Sequence, residues 1–173
     1  MKTVILFLLL LALSQLVNSS YGASVNQRDI NFYKPYLIKF EGYKNIKYRD
    51  GRHWAVGIGH NLSFEKYNKI GSYYTDAEIN YFFTNDLIIA LATARKYVRN
   101  FDSLPSDAKL VTISLIFTVG PKGFSKFQKF RLALERGNYK VASIELRKSK
   151  WWYQVGKERR EDHFNRLNNI NQK

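Results

Sequence analysis

The chain has 173 residues, enough for one domain or two lobes on a single chain path, and 45% of them are hydrophobic, which excludes a disordered polymer. It contains no cysteine, so thiol catalysis, disulfide staples and cysteine-ligated metals are excluded, and His53, His60 and His163 show no helical ligand spacing for zinc. A formal net charge of +14 exceeds what solubility requires and points to a polyanionic partner, whether nucleic acid, anionic lipid or anionic cell wall.

Residues 1–22 read as a signal peptide. Lys2 supplies the positive start, Val4 to Leu13 is a nearly unbroken apolar run, and small residues around Ser20 and Gly22 place cleavage between Ser19 and Ala23. The apolar run is too short to span a bilayer comfortably, so no stable membrane anchor is expected. The remaining chain, 23–173, carries 27 basic and 14 acidic residues, a net +13. Export favours an extracellular or lumenal polyanion over DNA. A cysteine-free exported domain of about 150 residues must rely on its hydrophobic core, which is feasible at that size.

Residues 28–40 show mostly helical apolar spacing, with Pro35 expected in an early turn, and Glu41-Gly42 ends that helix. Lys47 to Arg49 reads as a short strand, Asp50-Gly51 as a hairpin turn and His53 to Ile58 as the returning strand. Thr75 to Glu78 is a capping box opening a helix that runs to about Asn100. Leu104-Pro105-Ser106 breaks the chain, and Ser106 is expected to cap an apolar helix over 108–119. Ser125 is expected to cap 126–136, closed by Gly137, and 139–148 and 157–169 supply two further amphipathic segments. No internal repeat is evident. The fold class is α+β, with a β-containing region over about 40–75, a long helix over about 76–100 and a helical region over about 101–173.

Glu41 and Asp50 stand nine positions apart, one at a helix end and one at a hairpin turn. Such a pair can be two unremarkable surface carboxylates. It can equally face a shared groove, as glycoside hydrolysis requires: one carboxyl group protonates the leaving oxygen, and the other activates water or stabilises the oxocarbenium-like centre.

Glu41-Gly42, Tyr48 and Asp50, followed by the run Trp54-Ala55-Val56-Gly57-Ile58-Gly59-His60, resemble the signature of phage-type lysozymes, glycoside hydrolase family 24. Further motifs occur in the same order: Thr75 to Glu78 with Asn85-Asp86-Leu87, Phe117 to Gly120 with Gly123-Phe124, and Ser149-Lys150-Trp151 followed by Arg159-Arg160. The resemblance implies a two-lobed lysozyme-like fold whose long helix bridges the lobes. It also implies a muramidase, monomeric and without a cofactor or metal, which the signal peptide makes secreted or lysosome- or phagosome-lumenal. Its partners would be bacterial peptidoglycan and the anionic cell wall, not nucleic acid. By the same resemblance Glu41 is the general acid and Asp50 the group that serves the water, with inversion at the anomeric carbon. Arg159 is the cationic partner of Glu41, with Arg160 as the fallback. Phe117 contacts substrate, and His60 pairs with Asp86 as a structural ion pair.

The sequence departs from that family where it usually has a threonine whose hydroxyl holds the attacking water. Ala55 stands there, and the hairpin is one residue shorter. Losing one positioned polar contact can lower a rate by about a hundredfold or more. Three subsite positions also differ, with Asn61, Phe127 and Glu145 in place of the family's usual Leu, Ser and Asn. Two rival readings follow, a silent peptidoglycan-binding descendant and a cationic membrane-active protein. Gly57-Ile58-Gly59 lacks the third glycine of a phosphate loop and is expected to keep a cleft wall low. Trp151 and Trp152 read as core and rim, and Asn61-Leu62-Ser63 is a glycosylation sequon.

Overall fold

Asn26 leads into the first described helix, α1 (Gln27–Glu41), through a reciprocal cap. Its Oδ1 accepts from the Asp29 amide at 3.0 Å, while an Asp29 carboxylate oxygen accepts from the Asn26 amide at 3.1 Å. The computed structural model describes residues 25–51, 53–64 and 73–170, so the signal-peptide reading of 1–22 lies outside them. Those residues fold as an α+β protein, mostly helical, with a small antiparallel sheet near the N-terminus followed by a long helix. Two compact units share the chain, divided between Ile89 and Ala90.

In the first unit, Pro35 does not sit in an early turn but in the middle of α1. Asn31 and Pro35 are both exposed, so the carbonyl that loses its bond to the missing N–H can be hydrated. Tyr33, Tyr36 and Leu37 form the buried stripe. Gly42 ends the helix, its amide donating to the Ile38 carbonyl at 2.8 Å.

The sheet is larger than expected. Strand β1 is Lys44–Asp50, β2 is His53–Gly57 and β3 is His60–Asn61, in the order β1-β2-β3. Tyr48 pairs with Ala55 and Asp50 with His53, while Ala55 pairs with Asn61 and Val56 with His60. The returning strand stops at Gly57, one residue before the expected end. Val56, Leu62, Tyr74, Ile79 and Phe82 make the cluster on which the sheet rests. The helix α2 (Asp76–Tyr97) supplies two of them and opens with the expected box: the Glu78 carboxylate accepts from the Thr75 amide at 2.8 Å. It ends at Tyr97, before Asn100, because the chain tightens into a 3-10 turn at Phe101–Ser103 that buries Phe101.

The second unit continues with α3 (Ser106–Phe124), α4 (Gln128–Glu135), α5 (Tyr139–Arg147), α6 (Lys150–Gln154) and α7 (Lys157–Asn169). Helix α5 packs on α4 and α7, and α3 packs on α7. Two expected caps are absent. Ser106 is the first helical residue and makes no capping bond, with Pro105 in the cap position. The Ser125 hydroxyl donates back to the Lys122 carbonyl, and α4 starts only at Gln128. Gly120, at φ +66°, interrupts α3 just after the expected end at Val119.

His163 on α7 is fully buried with its ring 5.2 Å from that of Trp151. Burial, then the nearby Arg159 charge, push its pKa down from 6.5 to about 3. The folded-state value lies below the unfolded one. The neutral ring therefore contributes stability that is complete above about pH 6.5 and is lost as pH falls toward 3. Urea unfolding between pH 7 and pH 4 should show the wild type losing up to about 1.4 kcal/mol per pH unit from this residue. His163→Gln, though less stable at pH 7, should show a shallower acid dependence. Equal slopes would refute the assignment.

Candidate active site

Alternation along β1 puts Tyr48 and Asp50 on one face of the sheet. The cross-strand register puts His53, Ala55 and Asn61 on that same face. The opposite face carries Trp54, Val56 and His60, and Val56 belongs to the apolar cluster with Ile79 and Phe82. The sheet therefore has one packing face and one face bearing Asp50.

Glu41 comes from the C-terminal end of α1 and is half-buried. Its Oε2 lies 3.2 Å from where a Cβ on Gly59 would stand. Gly59 also has φ +74°, so any side chain there would be strained and would crowd the carboxylate. Gly57 serves differently from the expected low cleft wall. It is buried, and a Cβ there would come within 2.7 Å of Ile79 Cγ2, so this glycine lets the strand seat against α2.

Both carboxylates act on Tyr48. Its phenol is held above its ordinary pKa by partial burial, then by the negative charge of Asp50, then by that of Glu41. Both groups thus reach one hydroxyl electrostatically, although they arise from a helix and a strand. Lys44 Nζ lies 4.2 Å from the centre of the same ring, on its own strand. The motif comparison includes Tyr48 but gives it no role; the two-residue step from Asp50 was the available signal.

His60 and Asp86 are brought together, with His60 Nδ1 2.8 Å from an Asp86 carboxylate oxygen. A carboxylate only accepts, so Nδ1–H donates. The His60 ring stacks on Phe82 at 4.4 Å, with 2° between planes. His60 is thus fixed by packing and by this hydrogen bond, on the sheet face away from Asp50. Ala55 is buried at 2% exposure and brings no polar atom to its row. Beside it, the half-buried Asn61 accepts from the Ser63 amide at 2.9 Å, and His53 Nδ1 lies 3.0 Å from the Ser63 hydroxyl.

The other expected site residues belong to the second unit. Phe117 is half-buried on α3, beside buried Ile116. Arg159 is buried on α7, and its Nη2 donates to the Ser114 carbonyl at 2.9 Å and hydroxyl at 2.8 Å. Arg160, half-buried, donates to the Trp152 carbonyl at 3.3 Å. Trp151 and Trp152 are both buried. Among the described residues, no three His, Asp or Glu side chains cluster as a metal site would require. No model of a known protein family and no curated protein matches the chain.

Asp86→Ala should remove a partly buried, charge-assisted hydrogen bond and lower stability by about 1–3 kcal/mol. At roughly 2–4 °C per kcal/mol for a chain of this size, thermal unfolding should drop by several degrees. An unchanged melting temperature would contradict the structural role.

Proposed function

We propose that the chain is a muramidase of the phage-type lysozyme family. It hydrolyses the β-1,4 linkage between N-acetylmuramic acid and N-acetylglucosamine in bacterial peptidoglycan, and acts as a secreted or lumenal protein in antibacterial defence or bacterial digestion. The observation that carries this reading is that the Asp50 and Glu41 charges both act on the Tyr48 phenol, so the two carboxylates lie in one neighbourhood. Two carboxylates of different exposure near one point suit glycoside cleavage.

In that reaction the Glu41 carboxyl gives its proton to the glycosidic oxygen as the C1–O bond breaks. A water molecule loses a proton to the exposed Asp50 carboxylate and forms the new C1–O bond from the opposite face. The anomeric configuration inverts, and solvent exchange returns both carboxyl groups to their starting protonation. The half-buried position of Glu41 at a helix end and the exposed hairpin position of Asp50 suit this division of roles. The chain's +14 charge supports recruitment to an anionic wall, an attraction that salt would weaken.

One observation favours a second reading, a silent wall-binding descendant. Ala55 places a methyl group on the Asp50 face, so it offers no hydroxyl to a water.

Clearance of purified cell walls separates these readings. Wild type should clear them, and Glu41→Gln or Asp50→Asn should lower the rate by about 10²- to 10⁴-fold. A Glu41→Gln variant that clears at the wild-type rate would sink the muramidase reading, and a wild type that binds without clearing would establish the silent one. Ala55→Thr should raise turnover by about tenfold or more if the missing hydroxyl limits the rate. No gain would mean that another group holds the water.

A further inference from the structure

In the second unit, the segment entering α4 and the segment running from α5 into α6 line an open cleft of about 610 Å³. Val119, Phe127 and Trp151 give it apolar walls, and Lys126, Lys129, Lys148 and Lys150 also line it. Glu145 is the only carboxylate among its lining residues, and Lys148 Nζ already lies 3.0 Å from it. Among the described residues, the ammonium groups of Lys126, Lys129 and Lys150 meet no carboxylate within ion-pair distance. All three are exposed.

Ammonium groups around one concave surface repel each other and concentrate positive potential there, and a bound anion relieves both effects. The lining contains four lysines and no arginine. Ammonium point charges bind phosphate oxygens as well as carboxylates, so the lysines call for an anion and the other lining groups bear on its class. Gln128, Ser149 and Gln154 add amide and hydroxyl groups suited to polyol hydroxyls. Phe130 and Trp151 are almost fully buried, which leaves the half-buried Phe127 as the one lining ring within reach of a base, too few for the successive stacking that single strands use. The cleft is open to solvent, so it can take a segment of a longer chain.

We propose that this cleft binds a phosphodiester-linked polyol chain, an anionic wall polymer, with Lys126, Lys129 and Lys150 on its phosphates. Neither Glu41 nor Asp50 takes part in it, although Phe127 and Glu145, which line the cleft, stand where the lysozyme resemblance places subsites, so loss of wall clearance with this binding intact would strike the muramidase reading alone.

The test is calorimetric titration of the whole chain at fixed salt with poly(glycerol phosphate). Poly(glutamate) and oligothymidylate of matched charge serve as comparators. The variant Lys126→Ala/Lys129→Ala/Lys150→Ala should weaken binding to poly(glycerol phosphate) by at least about tenfold. Lys96→Ala/Lys140→Ala/Lys157→Ala removes the same charge from exposed positions that do not line the cleft and should weaken it by less than about threefold. Poly(glutamate) and oligothymidylate should bind wild type at least about tenfold more weakly than the polyol phosphate. Equal losses in the two triple variants would reduce the effect to bulk charge and overturn the proposal. So would carboxylate polymer or oligonucleotide binding as tightly as the phosphate polymer.

Discussion

A sheet of three strands, one of them only two residues long, cannot hold itself together in water; it needs a partner on one face. Here the partner is the first half of α2. Ile79, Phe82 and Asp86 follow one another at helical spacings of three and four, which puts them on a single stripe. Ile79 and Phe82 join Val56, Leu62 and Tyr74 in the apolar cluster, and Phe82 stacks beneath His60. Asp86 then receives the His60 Nδ1–H. The contact is apolar at one end and polar at the other, which fixes where the sheet sits along the helix as well as which face it turns inward. Gly57 permits the close seating, since a Cβ would meet Ile79.

Once that face is committed, the other follows by alternation. A slip of one residue would turn Asp50 onto the packing face and Val56 off it, so the same burial that stabilises the sheet specifies the placement of the carboxylate. The acid is held by separate means. Gly42 ends α1 immediately after Glu41, and the next residue, Tyr43, donates its hydroxyl to Asp76 in the first turn of α2. Sheet and acid-bearing helix end are thus both referred to α2. The Tyr48 phenol feels the charge of both carboxylates.

Features that depend on residues close in sequence were legible, and features that depend on chain return were not. The Thr75–Glu78 box could be read because its partners lie three residues apart and fit a common pattern. The equivalent Asn26–Asp29 box uses a rarer residue pair and passed unnoticed, although its geometry is similar. Ser106 and Ser125 looked like caps, yet Pro105 occupies one cap position and a backward bond to Lys122 engages the other serine. Strand β3 is too short to show alternation, and so the row Tyr48–Ala55–Asn61 appears only with the register. The His60–Asp86 pairing came from motif resemblance, not from spacing. Gly57 and Gly59 looked alike in sequence but serve different ends, one against Ile79 and one beside Glu41.

Within the second unit, arginine and lysine divide the positive charge by chemistry. Arg99 pairs with Glu135, and Arg166 with both Asp107 and Asp162. Arg131 donates to the Tyr97 and Ser125 carbonyls, and Arg159 to Ser114. The fold uses these four arginines on itself, because a weakly hydrated planar fork satisfies several fixed acceptors at once. Lysines are more strongly hydrated and lose more by being fixed, so they stay at the surface, where Lys126, Lys129 and Lys150 stand around the cleft without a carboxylate. Net charge can draw the protein to any polyanion, but at physiological salt that pull fades beyond about 8 Å. Discrimination among polyanions has to come from charges placed at contact distance and not neutralised from within. Around this cleft, the ammonium groups of Lys126, Lys129 and Lys150, which no carboxylate of the fold engages, are the ones left available for that role.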